Sequence, residues 1–208
     1  TTEHTLSLHD ALPICLKKMF VDHYRLFGVK RANAVVFENA ALEERARRLY
    51  CLKQTKVIKP SICFNDNHVE SNLTLPRRSS VHRGLFLCGW HLNKNIMLIP
   101  LLAAEIRRRG RAFNFVLTAP LDNSKLHKQF SSLVRKHNVD DMVFVIGPVH
   151  KDQLRSLYSQ IDYVFLLSKL ESFSNNIIKA WYFGKPLLVS DEPWARSICQ
   201  EAAVYVDR

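Results

Sequence analysis

DYVFLLSKLESFSNNIIKAWYFGKPLLVSD, residues 162–191, reads as strand, polar loop, helix and strand. Residues 163–167 form an unbroken apolar run of the kind a strand buried on both faces requires, and residues 186–189 form another. Between them Ser174 is placed to cap a helix, Ile177, Ile178 and Trp181 make its apolar stripe, and Gly184 followed by Pro186 ends it. The loop Glu171-Ser172-Phe173-Ser174 therefore aims backbone N–H groups at whatever anion lies at the positive end of that helix.

Working outward, the same alternation runs through the C-terminal two thirds of the chain. Strands are expected near residues 85–88, 114–118, 143–146, 163–167, 187–189 and 203–206, with helices over 95–109, 124–137, 151–160, 174–183 and 194–201. Strictly alternating elements of this kind make βαβ units, a parallel sheet and right-handed crossovers. Residues 16–52 read as helix, strand (34–37) and a second helix capped by Asn39, whose Glu43, Glu44, Arg45, Arg47 and Arg48 are expected on a solvated face. A short strand over 56–59 ends at Pro60. Residues 62–82 are polar, carry Pro76, Arg77 and Arg78, and read as a linker.

In an open parallel sheet ligands bind outside the carboxyl ends of the strands, so three loops matter most. One is Gly89-Trp90-His91-Leu92-Asn93-Lys94-Asn95, another is Gly147-Pro148-Val149-His150, and the third is the loop carrying Glu171. Taken alone, Lys94 also reads as a solvated loop lysine, residues 147–150 as a Gly-Pro turn, and Glu171 as a helix cap. Lys179 lies about 200° round the helix from Ile177 and is expected to face away from the core.

Glu171, Phe173, Ser174, Ala180, Gly184, Lys185 and Pro186 fall where the donor-site signature of one enzyme family has its Glu, Phe, small residue, Ala and Gly-Lys-Pro. On these residues the chain resembles the retaining family-4 glycosyltransferases of the GT-B fold, and the likeness extends over nearly everything after Cys15. The expected fold class is therefore α/β: a Rossmann-like parallel sheet flanked by helices, the GT-B C-terminal domain, with a remnant of the N-terminal domain. In domain terms the expectation is an acceptor-domain tail at 15–60, a linker at 61–82 and an incomplete nucleotide-sugar domain at 83–208.

The resemblance implies roles residue by residue. Glu171 would engage the donor sugar. Gly89 and Lys94 match the glycine and the diphosphate-binding lysine, with Trp90 where an Arg often stands. Val149 would lie against the nucleotide base, and the backbone of Phe173, Ser174 and Asn175 against the departing diphosphate. The family's second Glu, which holds the ribose, is replaced here by Lys179. An ammonium has donors only, whereas a carboxylate accepts from two ribose hydroxyls. Altered donor recognition, a degenerate noncatalytic copy and a sequence error all account for this lysine.

As implied by the family, the full enzyme would transfer a hexose from a UDP-, GDP- or ADP-sugar to a glycan or lipid-linked acceptor with retention of configuration. No metal or other cofactor would be needed, because cationic side chains and a helix terminus would neutralise the leaving diphosphate. A noncatalytic nucleotide-sugar-binding module and a GT-B-fold sugar-nucleotide epimerase are the alternatives.

Composition narrows the classes further. The net charge of +11 over 208 residues suits anionic partners and allows peripheral contact with an anionic membrane. Clustered aromatics and a recognised nucleic-acid module are both missing, so no nucleic-acid partner is expected. No apolar run approaches the roughly 20 residues that span a bilayer. Five widely spaced cysteines without a C-x-x-C pair argue against a disulfide framework or a zinc site, and fit a cytoplasmic location, if need be at the inner face of a membrane. Cys88 and Cys199 are expected as core thiols, and the Asn72-Leu73-Thr74 sequon has no secretory context. Residues 1–14, TTEHTLSLHDALPI, look like a non-native adapter read-through, and the chain is expected to be a fragment at both ends, with little transferase activity alone.

Overall fold

The structure, a computed structural model, describes residues 14–61, 73–75 and 81–207. The expected non-native tail up to residue 13, the sequon asparagine, Cys63, Arg77, Arg78 and most of the linker lie outside the described residues. The chain divides into two compact units, Thr1–Lys59 and Pro60–Arg208.

In the first unit, α1 (Ile14–Arg31) precedes a β-α-β turn made by β1 (Val35–Phe37), α2 (Ala40–Tyr50) and β2 (Thr55–Val57). β1 and β2 pair in parallel. As expected, Asn39 caps α2, its side-chain oxygen accepting from the backbone N–H of Ala41 at 2.8 Å and of Leu42 at 3.3 Å. The solvated face expected for α2 needs one correction. Glu43 is turned inward, where it bonds both Arg47 and Thr55 and so ties the helix to β2. Its neighbours Glu44 and Arg48 stay exposed.

The second unit is a six-stranded sheet in the order β5-β4-β3-β6-β7-β8, and every pairing in it is parallel. The strands are β3 (His82–Phe86), β4 (Phe113–Leu117), β5 (Val143–Val145), β6 (Tyr163–Leu166), β7 (Leu187–Ser190) and β8 (Val204–Val206). The intervening helices are α3 (Leu98–Arg108), α4 (Lys125–Lys136), α5 (Leu154–Ser159), α6 (Asn175–Tyr182) and α7 (Pro193–Cys199). Their order is the one read from the hydrophobic pattern.

Two core clusters sit on opposite faces of the sheet. Ile99 and Ala103 of α3 and Phe130 and Val134 of α4 pack with Phe86, Phe115 and Leu117. Leu157 of α5, Ile177 and Ala180 of α6 and Trp194 of α7 pack with Leu85, Val116, Val164 and Val189. Adjacent residues such as Leu85 and Phe86 enter different clusters because successive strand side chains point to opposite faces. Gly84, in the central strand, leaves room for Phe165, since a Cβ there would collide with that ring.

The chain builds β3, β4 and β5 outward in one direction, then returns to lay β6 on the other side of β3. Crossing over at that point moves the helices to the opposite face. A crevice opens where the strand order reverses, outside the carboxyl ends of β3 and β6.

Two local expectations differ. The helix expected over 95–109 begins only at Leu98, because Asn95, which closes a 3₁₀ turn at Leu92–Lys94, sits at a left-handed φ of 55° that no α-helix continues through. In α6, Ile177 and Ala180 form the buried face, while Trp181 is 40% exposed and its indole N–H donates to the Ala202 carbonyl at 3.0 Å. A helix of eight residues touches the sheet along a narrow stripe, and the small Ala180 lets it approach closely.

Candidate functional site

The loops after β3 and β6 meet at the switch point of the sheet. Lys94 Nζ lies 2.6 Å from Glu171 Oε1, across 77 residues of sequence. The lysine side chain is 22% exposed and the carboxylate 12%, so the pair is partly desolvated yet reachable. Both were singled out from the sequence, each on its own loop, and the fold brings them together.

Each loop is anchored to the body of the domain. The first is fastened at Cys88, whose N–H donates to Thr118 Oγ1 at 3.1 Å, and at Trp90, whose indole N–H donates to the Pro120 carbonyl at 2.6 Å. Trp90 is 9% exposed, stacked on His127 at 4.8 Å between centroids and packed on Phe130. The position at which the resemblance offers a phosphate-binding Arg is thus occupied by a core side chain turned away from the crevice. Cys88 is half-buried, and burial pushes its thiol up to about 12 against the opposing pull of the Lys94 charge. It reads as a packing residue, as does Cys199, pushed up to about 11 by burial.

The second loop runs from the buried Ser168 into the N-terminus of α6. Ser174 occupies the capping position but its side chain makes no capping bond, which corrects the expectation of a serine cap. Its carbonyl accepts from the N–H of Ile177 at 3.0 Å. Asn176 reaches instead to the end of β3 and donates to the Leu87 carbonyl at 2.7 Å, fixing the helix start beside the crevice. Phe173 is half-buried, Ser174 buried and Asn175 exposed at the first helical position. With Ile177 so bonded, the N–H groups of Asn175 and Asn176 are the first-turn donors left for an outside acceptor, and this end of α6 also presents the positive end of a dipole.

Gly147 needs its φ of 83°, which only glycine adopts without strain. After it, Val149 is half-buried against the core, and His150 is exposed with its ring 2.9 Å from Asp152. At Gly89, by contrast, a Cβ would meet the His91 ring at 3.5 Å, an ordinary contact, so the fold alone does not demand glycine.

Lys179 is half-buried, and among the described residues no carboxylate pairs with it. Burial holds its ammonium below the usual lysine range, and the Lys151 charge acts in the same direction. A folded-state pKa below the unfolded value of 10.5 means that the charged form weakens the fold. That cost is present below the folded pKa and disappears as pH rises past the unfolded value. Lys179→Met removes both the half-buried charge and the repulsion from Lys151 and, with solvent screening allowed for, is expected to raise stability by about 0.3–1 kcal/mol at pH 7. The effect reads as a higher urea midpoint at unchanged slope. A lower midpoint would show that the ammonium is favourably held.

A cation, a carboxylate and a helix N-terminus converge at one crevice. Such a set can bind a ligand that carries both an anionic group and hydroxyl donors. Among the described residues no group of three or more His, Cys, Asp or Glu side chains is arranged to hold a metal ion. No helix of the described residues is long and apolar enough to cross a membrane. Asn93 and Asn176 were not singled out from the sequence. Their bonds span 77 and 89 residues, and no local pattern marks them.

The family described as glycosyl transferases group 1 matches residues 90–206. No curated protein matches the chain in sequence. Among solved structures, the chain is similar to the sucrose-phosphate synthase of Thermosynechococcus elongatus, with a TM-score of 0.73 and 19% identity over 97% of this chain and 51% of that one. A glycosyltransferase from Rickettsia africae aligns with a TM-score of 0.67 and 18% identity, over 94% of this chain and 53% of that one. Anabaena HepE, solved with UDP and glucose, aligns with a TM-score of 0.68 and 16% identity, over 96% and 56% respectively. The chain therefore spans about half the length of these structures, and at these identities the likeness shows the fold.

Proposed function

The chain belongs to the glycosyl transferases group 1 family, and from that premise we propose that it supplies the donor-binding half of a retaining glycosyltransferase. The reaction is transfer of a hexose from a nucleoside diphosphate sugar to a glycan or lipid-linked acceptor. The observation that carries this reading is the meeting of Lys94 and Glu171 beside the N-terminus of α6. Lys94, with the backbone N–H groups of Phe173, Ser174 and Asn175, neutralises the diphosphate as it departs. Glu171 accepts hydrogen bonds from the sugar hydroxyls and fixes the anomeric carbon. Val149 packs against the base, and Gly89 leaves the β3 loop without a side chain that would crowd the phosphates. Lys179 stands by the ribose, where it donates to hydroxyl oxygens that a carboxylate would accept from.

In this reading charge is handled by Lys94 and the helix terminus, without a metal ion. The protein works in the cytoplasm, at the inner face of the membrane when its acceptor is lipid-linked. The UDP and glucose of Anabaena HepE are compatible with such a donor.

Titration calorimetry with UDP-, GDP- and ADP-sugars tests the proposal. Saturable binding of one of them, weakened by Glu171→Ala, is the expected result. Absence of binding by all three would sink it. The half-buried Lys179, which no carboxylate among the described residues pairs with, favours a second reading, a nucleotide-sugar-binding module without turnover. Binding together with no transfer by a longer chain that includes an acceptor domain, and with none restored by Lys179→Glu, would select it.

A further inference from the structure

Asn93 makes three hydrogen bonds across the crevice, all to residues just before Glu171. Its backbone carbonyl accepts from the Lys169 N–H at 2.8 Å. Its carboxamide oxygen accepts from the Leu170 N–H at 3.2 Å, and its carboxamide nitrogen donates to the Leu170 carbonyl at 2.5 Å. An asparagine side chain has the donor and acceptor of a peptide group at the end of a short stem, so here it pairs with Leu170 as one strand residue pairs with another. The adjacent residues then form a second contact in the same register, Lys94 with Glu171. Leu170 itself is 47% exposed, so packing of its side chain does little to hold the loop.

We propose that Asn93 is a positioning residue of the donor site, setting the Glu171 carboxylate relative to Lys94 so that one ligand meets both. The proposal rests on the reading of this crevice as a nucleotide-sugar site. Lys94 lies on Asn93's own loop, which Trp90 and Cys88 anchor independently. Glu171 lies on the other loop, between the helix start that Asn176 holds and the clasp at Leu170, so the Asn93 side chain fixes one of its two flanks. Loss of Asn93 therefore loosens the contact to the sugar and leaves the contact to the diphosphate in place.

The experiment is calorimetry on the 208-residue chain with a nucleoside diphosphate and its hexose derivative, in the UDP, GDP and ADP series. Removing the two side-chain bonds in Asn93→Ala is expected to weaken the sugar derivative about tenfold and the bare diphosphate less than about threefold. Asn93→Leu keeps the approximate shape, adds no charge beside Lys94 and loses both side-chain bonds, and should show the same selective loss. In a Glu171→Gln background Asn93→Ala should have no additional effect, because a residue that acts through Glu171 has nothing left to position.

Equal weakening of both ligands, or additivity with Glu171→Gln, would overturn the proposal and leave Asn93 a supporting role in the fold. A wild-type chain that binds the donor while Asn93→Ala changes nothing refutes the positioning role alone. A wild-type chain that binds none of the three series refutes the donor site and the positioning role with it.

Discussion

Lys94→Ala is expected to weaken binding of the nucleoside diphosphate sugar by about 2–3 kcal/mol, roughly 30- to 150-fold. Two effects add. The diphosphate loses the cationic side chain placed against Glu171 in the crevice, and Glu171, only 12% exposed, is left as an uncompensated negative charge facing an anionic ligand. Charge reversal of the local field makes this variant worse than Glu171→Gln, which removes the contact to the sugar but leaves the cation. The double variant Lys94→Ala with Glu171→Gln should accordingly recover part of the affinity for the bare diphosphate. Calorimetry of the three variants reads this directly. Wild-type affinity in Lys94→Ala would remove Lys94 from the donor site.

Trp90→Arg carries the largest expected effect on stability. The substitution introduces the residue that the family resemblance puts at this position, yet the side chain here packs into the core. It would lose the stack on His127, the packing on Phe130 and the bond to the Pro120 carbonyl, and it would put a guanidinium where an indole is 9% exposed. Truncating a buried tryptophan costs about 3–5 kcal/mol, and the buried charge adds to that. Against a total stability of about 5–15 kcal/mol for a typical domain, the variant should unfold at far lower urea than wild type, or fail to accumulate. An unchanged urea midpoint with tighter diphosphate binding would show that the side chain can turn out to the crevice.

These two residues illustrate how far local pattern reaches. The elements were legible because each is written in a short window: the apolar run before Ser168, the stop at Gly184 and Pro186, and the Asn39 cap. Lys94 and Glu171 were singled out by the family resemblance, each on its own loop, since their local windows read equally as a solvated lysine and a helix cap. The burial of Trp90 was not legible, since the groups that cover it, Pro120, His127 and Phe130, lie 30 or more residues away. The half-buried state of Lys179 was hidden too, because the burial that disfavours its ammonium, with the Lys151 charge acting in the same direction, comes from tertiary packing and not from a local window.

Hydrophobic period and helix punctuation act over a few residues, so they mark out a parallel α/β unit and the loops at its strand ends before any packing is known. That β6 lies beside β3 and not beyond β5 emerges only in the folded sheet. That placement is set by which faces can be covered on both sides at once, a property of the whole sheet. It is what closes Lys94 onto Glu171 and Asn93 onto Leu170, and makes one site from two distant loops.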